Sequence, residues 1–259
     1  MISTQSATEF ARNSLAVAVM LALSAAANAG VPSGTTPTGG VVAAGQANIT
    51  QTSNYTTITQ STANVVINWQ SFSIGADQTV QFVQPGSSSV ALNRVLGSDP
   101  SLIYGSLISN GKVFLLNPNG ILFGSGASVN VGSLVASTMS MTNSDFMSGN
   151  YIFTGAGPGS VVNQGNIHAD DGGYVALMGR NVSNQGVVSA RLGSVVLAGA
   201  SAVTLDLTGD GLLNVSVPQG AANALVENSG SIRADGGRVL LTAQAAGELL
   251  NTVVNNTGM

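Results

Sequence analysis

The sequence predicts an all-β chain wound as a right-handed parallel β-helix with an N-terminal β cap. Three observations carry this: the composition, a repeat near 20 residues, and turns rich in asparagine and glycine. Of 259 residues only 7% are charged while 44% are hydrophobic and 33 are glycine, so Ser, Thr and Asn must cover the surface. Solvated helices need Glu, Lys and Arg on their outer faces, whereas strands can carry Thr, Ser and Asn outside and Val, Leu and Ile inside.

The repeat lies in the second half. Asn163-Gln-Gly-Asn-Ile-His-Ala169 returns at Asn184–Ala190 after 21 residues and at Asn228–Ala234 after a further 44, a gap that reads as two periods. Each copy passes through glycine into a second apolar stretch: Tyr174 to Met178, Val195 to Ala198, Arg238 to Thr242. Short strands and Asn/Gly turns at this period define a stacked solenoid, and the dense Leu lattice of leucine-rich repeats is absent. Coils stacked about 4.8 Å apart would give a rod of about ten coils, about 48 Å long. Asparagines at equivalent turn positions are expected to form a hydrogen-bonded ladder along it.

The elements follow in order. Arg12 stands before an uncharged stretch, Ser14 to Ala27, and Ala27-Asn28-Ala29 places small residues where signal peptidase cuts, so residues 1–29 read as a signal peptide cleaved after Ala29. Residues 30–160 are expected to hold the cap and the first coils. Gly40 to Gln60 is the expected cap, because an open β-helix end would expose unpaired backbone groups. Strands are expected at Val65–Trp69, Thr79–Val83, Ser89–Val95, Lys112–Leu116 and Ala127–Val131. Residues 161–259 form the regular coils, and Val254–Met259, which begins another Asn-x-Gly turn, suggests a solenoid that continues beyond the chain end.

Val113-Phe-Leu-Leu-Asn-Pro-Asn-Gly-Ile-Leu-Phe-Gly124 stands out. Pro118 presets φ near −65° and Asn119-Gly120 tolerates positive φ, so Asn117–Gly120 is a turn between two short strands.

Several functions are excluded by what the chain lacks. It has no cysteine, hence no disulfide, thiolate metal site or cysteine nucleophile. A net charge of −4 and a single lysine, Lys112, leave no electrostatic footprint for nucleic acid. β-Helical enzymes need two acids on one wall or a metal set, and the candidates are His168 with Asp170 and Asp171, Asp206 with Asp210, and Asp99. His168 occupies the repeat position of Ser189 and Arg233, between inward Ile167 and Ala169, so it points to solvent. Asp170 and Asp171 fall where Asp235 sits and read as turn formers. Asp206–Gly211 lacks the alternating oxygen ligands of calcium loops. The glycines at 155, 157 and 159 are loop residues with no phosphate-binding Lys after them. Trp69, Phe72, Phe82, Phe114 and Phe123 sit in apolar runs and read as core. No catalytic residue, metal ligand or cofactor is assigned.

Five motifs in order carry a resemblance: Asn68-Trp69-Gln-Ser-Phe72-Ser-Ile-Gly75, Leu92-Asn93-Arg94-Val95, Ser101–Gly105, Asn110–Ile121 and Leu134–Thr138. Together, over about residues 40–250, they resemble the N-terminal two-partner secretion domain of filamentous-haemagglutinin-type exoproteins. The resemblance implies a secreted or cell-surface protein of a Gram-negative bacterium, exported through the Sec machinery to the periplasm. There it would meet an outer-membrane β-barrel transporter with POTRA domains. It also implies that Asn117, Pro118, Asn119, Gly120 and Ile121 belong to a transporter-recognition or folding motif, with Asn68, Trp69, Phe72, Asn93 and Arg94 as a secondary one. Adhesion through a host-cell or matrix receptor would then reside in a missing C-terminal part. A β-helical polysaccharide-active enzyme and a free-standing matrix protein are the alternative readings.

Overall fold

The computed structural model describes residues 31–206, 213–244 and 254–259. The turns between its short apolar strands carry the chain around a corner, so most strands pair with those of the coils before and after. Two strands precede the coils, β1 (Val41–Ala44) and β2 (Ala47–Gln51). Successive coils are β3 (Tyr55–Gln60) and β4 (Asn64–Trp69), then β5 (Thr79–Val83), β6 (Val90–Val95) and β7 (Ser101–Ile103). Next come β8 (Ser106–Ser109), β9 (Lys112–Leu116) and β10 (Ile121–Phe123), and then β11 (Ser128–Val131) and β12 (Ser133–Ser137). An excursion follows, with helix α1 (Asn143–Met147) and β13 (Tyr151–Thr154), before β14 (Ser160–Asn163) closes that coil. The next coil is β15 (Asn166–Ala169), β16 (Tyr174–Gly179) and β17 (Asn181–Asn184). After β18 (Val187–Ala190) and β19 (Ser194–Gly199) a second excursion holds β20 (Ala202–Asp206) and β21 (Asn214–Gln219), and β22 (Leu225–Asn228) completes the turn. The last described coil is β23 (Ser231–Arg233), β24 (Arg238–Ala243) and β25 (Val254–Asn256).

These strands stack into three long sheets: β1-β4-β6-β9-β12-β16-β19-β24, β2-β3-β5-β8-β11-β15-β18-β23, and β7-β10-β14-β17-β22-β25. The pairings within them are parallel except β1 on β4 and β2 on β3. The parallel β-helix with an N-terminal β cap is thus the fold. The expected strand at 112–116 matches β9, and Thr79–Val83 matches β5. The cap is narrower than expected: β1 and β2 form it, whereas β3 already runs parallel to β5. Val42, Ala47 and Ile49 of the cap pack on the end of the interior core.

Inside, aliphatic side chains stack rung on rung. Val65, Ala91, Val113, Leu134, Val175 and Val195 form one such column. Close stacking also explains much of the glycine content. At Gly173, Gly193 and Gly237 an added Cβ would overlap the carbonyl oxygen of the glycine one coil earlier, and Gly186, Gly230 and Gly258 form a second column of the same kind.

Two expectations need correction. The 44 residues from Asn184 to Asn228 do not span two coils, because β18 pairs directly with β23 and β17 with β22. The surplus is the β20–β21 excursion, in which β20 pairs antiparallel with β21 on one side and with β13 on the other. For the same reason the described stack, at most eight strands deep, is shorter than the ten coils expected.

The excursions cover the outer face of the first sheet. Val66, Leu92, Phe114, Val135, Ala176 and Val196 point outward there and form a second core with Phe146, Tyr151, Phe153, Val203 and Leu205. Phe114 therefore belongs to this outer core, while Trp69, Phe72, Phe82 and Phe123 lie in the interior one. Burial on both faces is why β16 and β19 read as unbroken apolar runs, whereas the exposed sheet alternates, as in Asn166-Ile-His-Ala169. The sequence does signal α1: Thr142 caps it, its hydroxyl accepting from the Asp145 N–H at 3.0 Å.

Candidate functional site

Asn117–Gly120 joins β9 in the first sheet to β10 in the third, so it is a corner of a coil and not a hairpin. The Gly120 N–H donates to the Asn117 carbonyl at 3.1 Å, closing the turn. Gly120 has φ +118°, in the region that side-chain-bearing residues avoid.

The Asn117 side chain is fully buried, and its hydrogen bonds run into the neighbouring coil. Its amide donates to the Asp99 carbonyl and to Ser101 Oγ, both at 3.0 Å, while Oδ1 accepts from the Asn119 N–H at 2.9 Å. Asn119 donates from its own amide to the Gly97 carbonyl at 2.9 Å. The following coil closes on the other side, with the Gly159 N–H donating to the Pro118 carbonyl at 3.0 Å and the Asn117 N–H to Ser137 at 2.9 Å. Ile121 is buried in the interior core, and only Pro118 and Asn119 of the motif are partly open to solvent.

The secondary motif meets this corner. Asn93 occupies an interior column between Ile67 and Leu115, where an apolar side chain would be expected. Its Oδ1 accepts from Trp69 Nε1 at 2.9 Å and its amide reaches the Phe114 carbonyl at 3.3 Å, so an otherwise costly buried amide is satisfied. Trp69 also packs edge-on against Phe72, with ring centroids 5.4 Å apart. Arg94, on the outer face, donates to Asn68 Oδ1 at 3.1 Å, Asn143 Oδ1 at 2.9 Å and the Met141 carbonyl at 2.7 Å, tying the first excursion to the coils. Burial lowers its pKa. The secondary motif thus forms two groups on opposite faces of the first sheet, Trp69, Phe72 and Asn93 inside and Asn68 with Arg94 outside, and the loop of residues 96–100 that follows β6 supplies the Gly97 and Asp99 carbonyls to Asn119 and Asn117.

Sequence reasoning missed a further network at the opposite corner. Gln84 donates to Gln60 Oε1 at 2.9 Å and accepts from Ser109 Oγ at 2.5 Å, while Gln60 caps the Thr62 and Ala63 carbonyls at 2.6 and 2.9 Å. Two glutamines 24 positions apart, one coil's length, were the available signal.

Among the described residues, the acids and the histidine weighed for catalysis form no cluster of three. His168 is exposed on the second sheet, in register with Asn130 and Ser189. Asp171 forms a two-pronged ion pair with Arg191 of the next coil, and Asp170 lies exposed in the same turn. Among the described residues no three His, Cys, Asp or Glu side chains cluster as metal ligands. Ala27, Ala29 and Asp210 lie outside the described residues.

A family model described as "TPS secretion domain" matches residues 31–259. The heme/hemopexin-binding protein of Haemophilus influenzae strain Rd is 36% identical over 224 residues, 83% of this chain and 24% of that protein. A second Haemophilus influenzae protein of that name is 32% identical over 232 residues, covering 80% of this chain and again 24% of the relative. The chain thus spans under a third of the length of these curated relatives. Among solved structures, the HMW1 secretion domain from Haemophilus influenzae superposes with a TM-score of 0.72 at 30% identity, covering 85% of this chain and 57% of that one.

Proposed function

The chain belongs to the TPS secretion domain family, and on that footing we propose that the corner at Asn117–Ile121 serves export by nucleating the β-helix. Proteins of this family are secreted exoproteins of Gram-negative bacteria that work with a partner outer-membrane transporter, and directing that secretion is the domain's role. The observation that carries the proposal is the direction of the motif's hydrogen bonds: Asn117, fully buried, spends its side chain on the coil before, and Pro118 accepts from the coil after. A residue so committed fixes three successive coils in register. Chain emerging from a pore in sequence order could then add each later coil to this seed, giving directional pull without ATP.

On this reading residues 1–29 take the chain through the Sec machinery to the periplasm and are removed after Ala29. POTRA domains of the transporter then engage surface near the seed, where Pro118 and Asn119 are the partly open motif residues. The domain is not an enzyme. Adhesion to a host-cell or matrix receptor, or the heme and hemopexin binding named for the relatives, belongs to other parts of the full-length exoprotein. The exposed setting of the sole histidine supports that division.

Asn117→Ala, measured both for secretion through the co-expressed transporter and for refolding rate in vitro, tests the proposal. Slow refolding with lost secretion is the expected result. Normal refolding with lost secretion would instead assign Asn117 to direct recognition, and undiminished secretion would leave the turn as architecture alone.

A further inference from the structure

The single lysine lies on the outer face of the first sheet, where Lys112, Ser133 and Tyr174 are successive rungs of one column. Because Ser133 is small, the Lys112 side chain passes over it and sets its ammonium 5.8 Å from the Tyr174 ring centroid. The same gap leaves a groove of about 330 Å³, lined by Ser87 and Ser88 on one side and by Asp170, Asp171, Gly172 and Gly173 on the other. Ser133 closes its floor, with Oγ donating to the Gly132 carbonyl at 2.8 Å and accepting from the Tyr174 N–H at 3.1 Å.

We propose that this groove binds a neutral saccharide unit through Lys112, the Ser87 and Ser88 hydroxyls and Asp170. Its charges select the ligand class. Lys112 is half-buried and no carboxylate of the described residues pairs with it, so its ammonium is an unspent donor. With Asp171 already paired to Arg191, a bare anion on Lys112 would face the Asp170 carboxylate across the groove, and a bare cation on Asp170 would face Lys112. A ligand that donates and accepts at adjacent hydroxyls without net charge meets both walls: its hydroxyl oxygens accept from the ammonium and its O–H groups donate to Asp170. The volume lies at the lower end of small-molecule pockets, about 300–1,000 Å³, which suits a small saccharide. Burial lowers the Lys112 pKa, consistent with a partly desolvated donor. This site is separate from the Asn117 corner and independent of the proposed role in export.

The test is a titration of the full chain, followed by backbone amide NMR, with glucose, galactose and N-acetylglucosamine, and with sulfate and glycine as anionic and zwitterionic probes. Saturable shifts at Ser87, Ser88, Gly172 and Gly173 are expected with at least one sugar, weakened tenfold or more in Lys112→Met and in Asp170→Asn. Asp170 is exposed, so its variant carries the test even if Lys112→Met fails to fold. Shifts with sulfate or glycine alone, no saturable shift with any sugar, or unchanged sugar binding in Asp170→Asn would each overturn the proposal.

Discussion

In the later coils, Asn163, Asn184, Asn228 and Asn256 stand at one corner and each amide donates to the next side-chain oxygen, at 2.8, 2.7 and 2.8 Å. In the early coils the corresponding work of satisfying buried polar atoms falls to dissimilar groups: Trp69 with Asn93, Gln60 with Gln84 and Ser109, and Asn117 with Ser101 and Asp99. The ladder repeats a local solution that any coil of the same shape can extend. The early network joins residues that fit only one another, and so it specifies where the stack starts and in which register. Buried polar groups that must find particular partners penalise every alternative pairing, since an orphaned donor or acceptor costs about 1–3 kcal/mol.

The largest expected effect is in the early coils. Trp69→Ala removes a fully buried indole and orphans Asn93, and should destabilise by about 3–5 kcal/mol in denaturant unfolding. A loss below about 1 kcal/mol would mean that the early coils do not depend on this network.

The comparison sharpens with a matched pair of amide deletions. Asn93→Leu should cost about 1–3 kcal/mol, and combining it with Trp69→Phe, which removes the stranded N–H as well, should recover part of that loss. Asn184→Leu should cost about 2 kcal/mol by stranding the Asn163 amide and the Asn228 oxygen. If the two regions differ as described, slowed refolding accompanies Asn93→Leu, while Asn184→Leu mainly speeds unfolding. Equal partition of the two effects would erase the distinction between seed and extension.

A smaller effect checks the exposed sheet. His168→Ser should leave the melting temperature and export unchanged, within about ±0.5 kcal/mol, because the imidazole lies on the solvent face. A metal-induced rise in melting temperature that His168→Ser abolishes would contradict the non-enzymatic reading.

The smallest effect concerns the segment before the cap. The Gly34 N–H, at 3.0 Å, and the Ser33 hydroxyl, at 2.9 Å, donate to the Asp77 carboxylate, and the backbone bond first and the hydroxyl second hold its pKa below the usual value. A depressed carboxylate contributes stability that is fully present above its unfolded pKa, about 3.9, and is lost as pH falls through the lower folded value. Amide exchange at residues 33–35 should therefore rise below about pH 4 before the coils respond, and Asp77→Asn should remove that pH dependence.

Much was legible in the sequence because a stacked coil imposes the same local requirement at each turn. Asn163, Asn184 and Asn228 recur because each side-chain amide at that buried corner is satisfied by the same side chain one coil on, and the outward place of His168 follows from the alternation of Ile167 and Ala169. Gly120 was readable as a turn residue from its neighbours alone. What needed the tertiary structure was everything that joins unlike residues far apart in the chain. The 44-residue gap could be two coils or one coil with an excursion, and only the pairing of β18 with β23 decides it. Phe114 is apolar in either core, but the packing of Phe146 and Tyr151, with ring centroids 6.0 and 5.1 Å from it, places it outside the coil. Hydrophobicity, turn propensity and the pairing of like residues such as the corner asparagines write themselves into a period; the choice of an unlike partner, such as Trp69 for Asn93 or Ser101 for Asn117, is set by where the coils bring the groups.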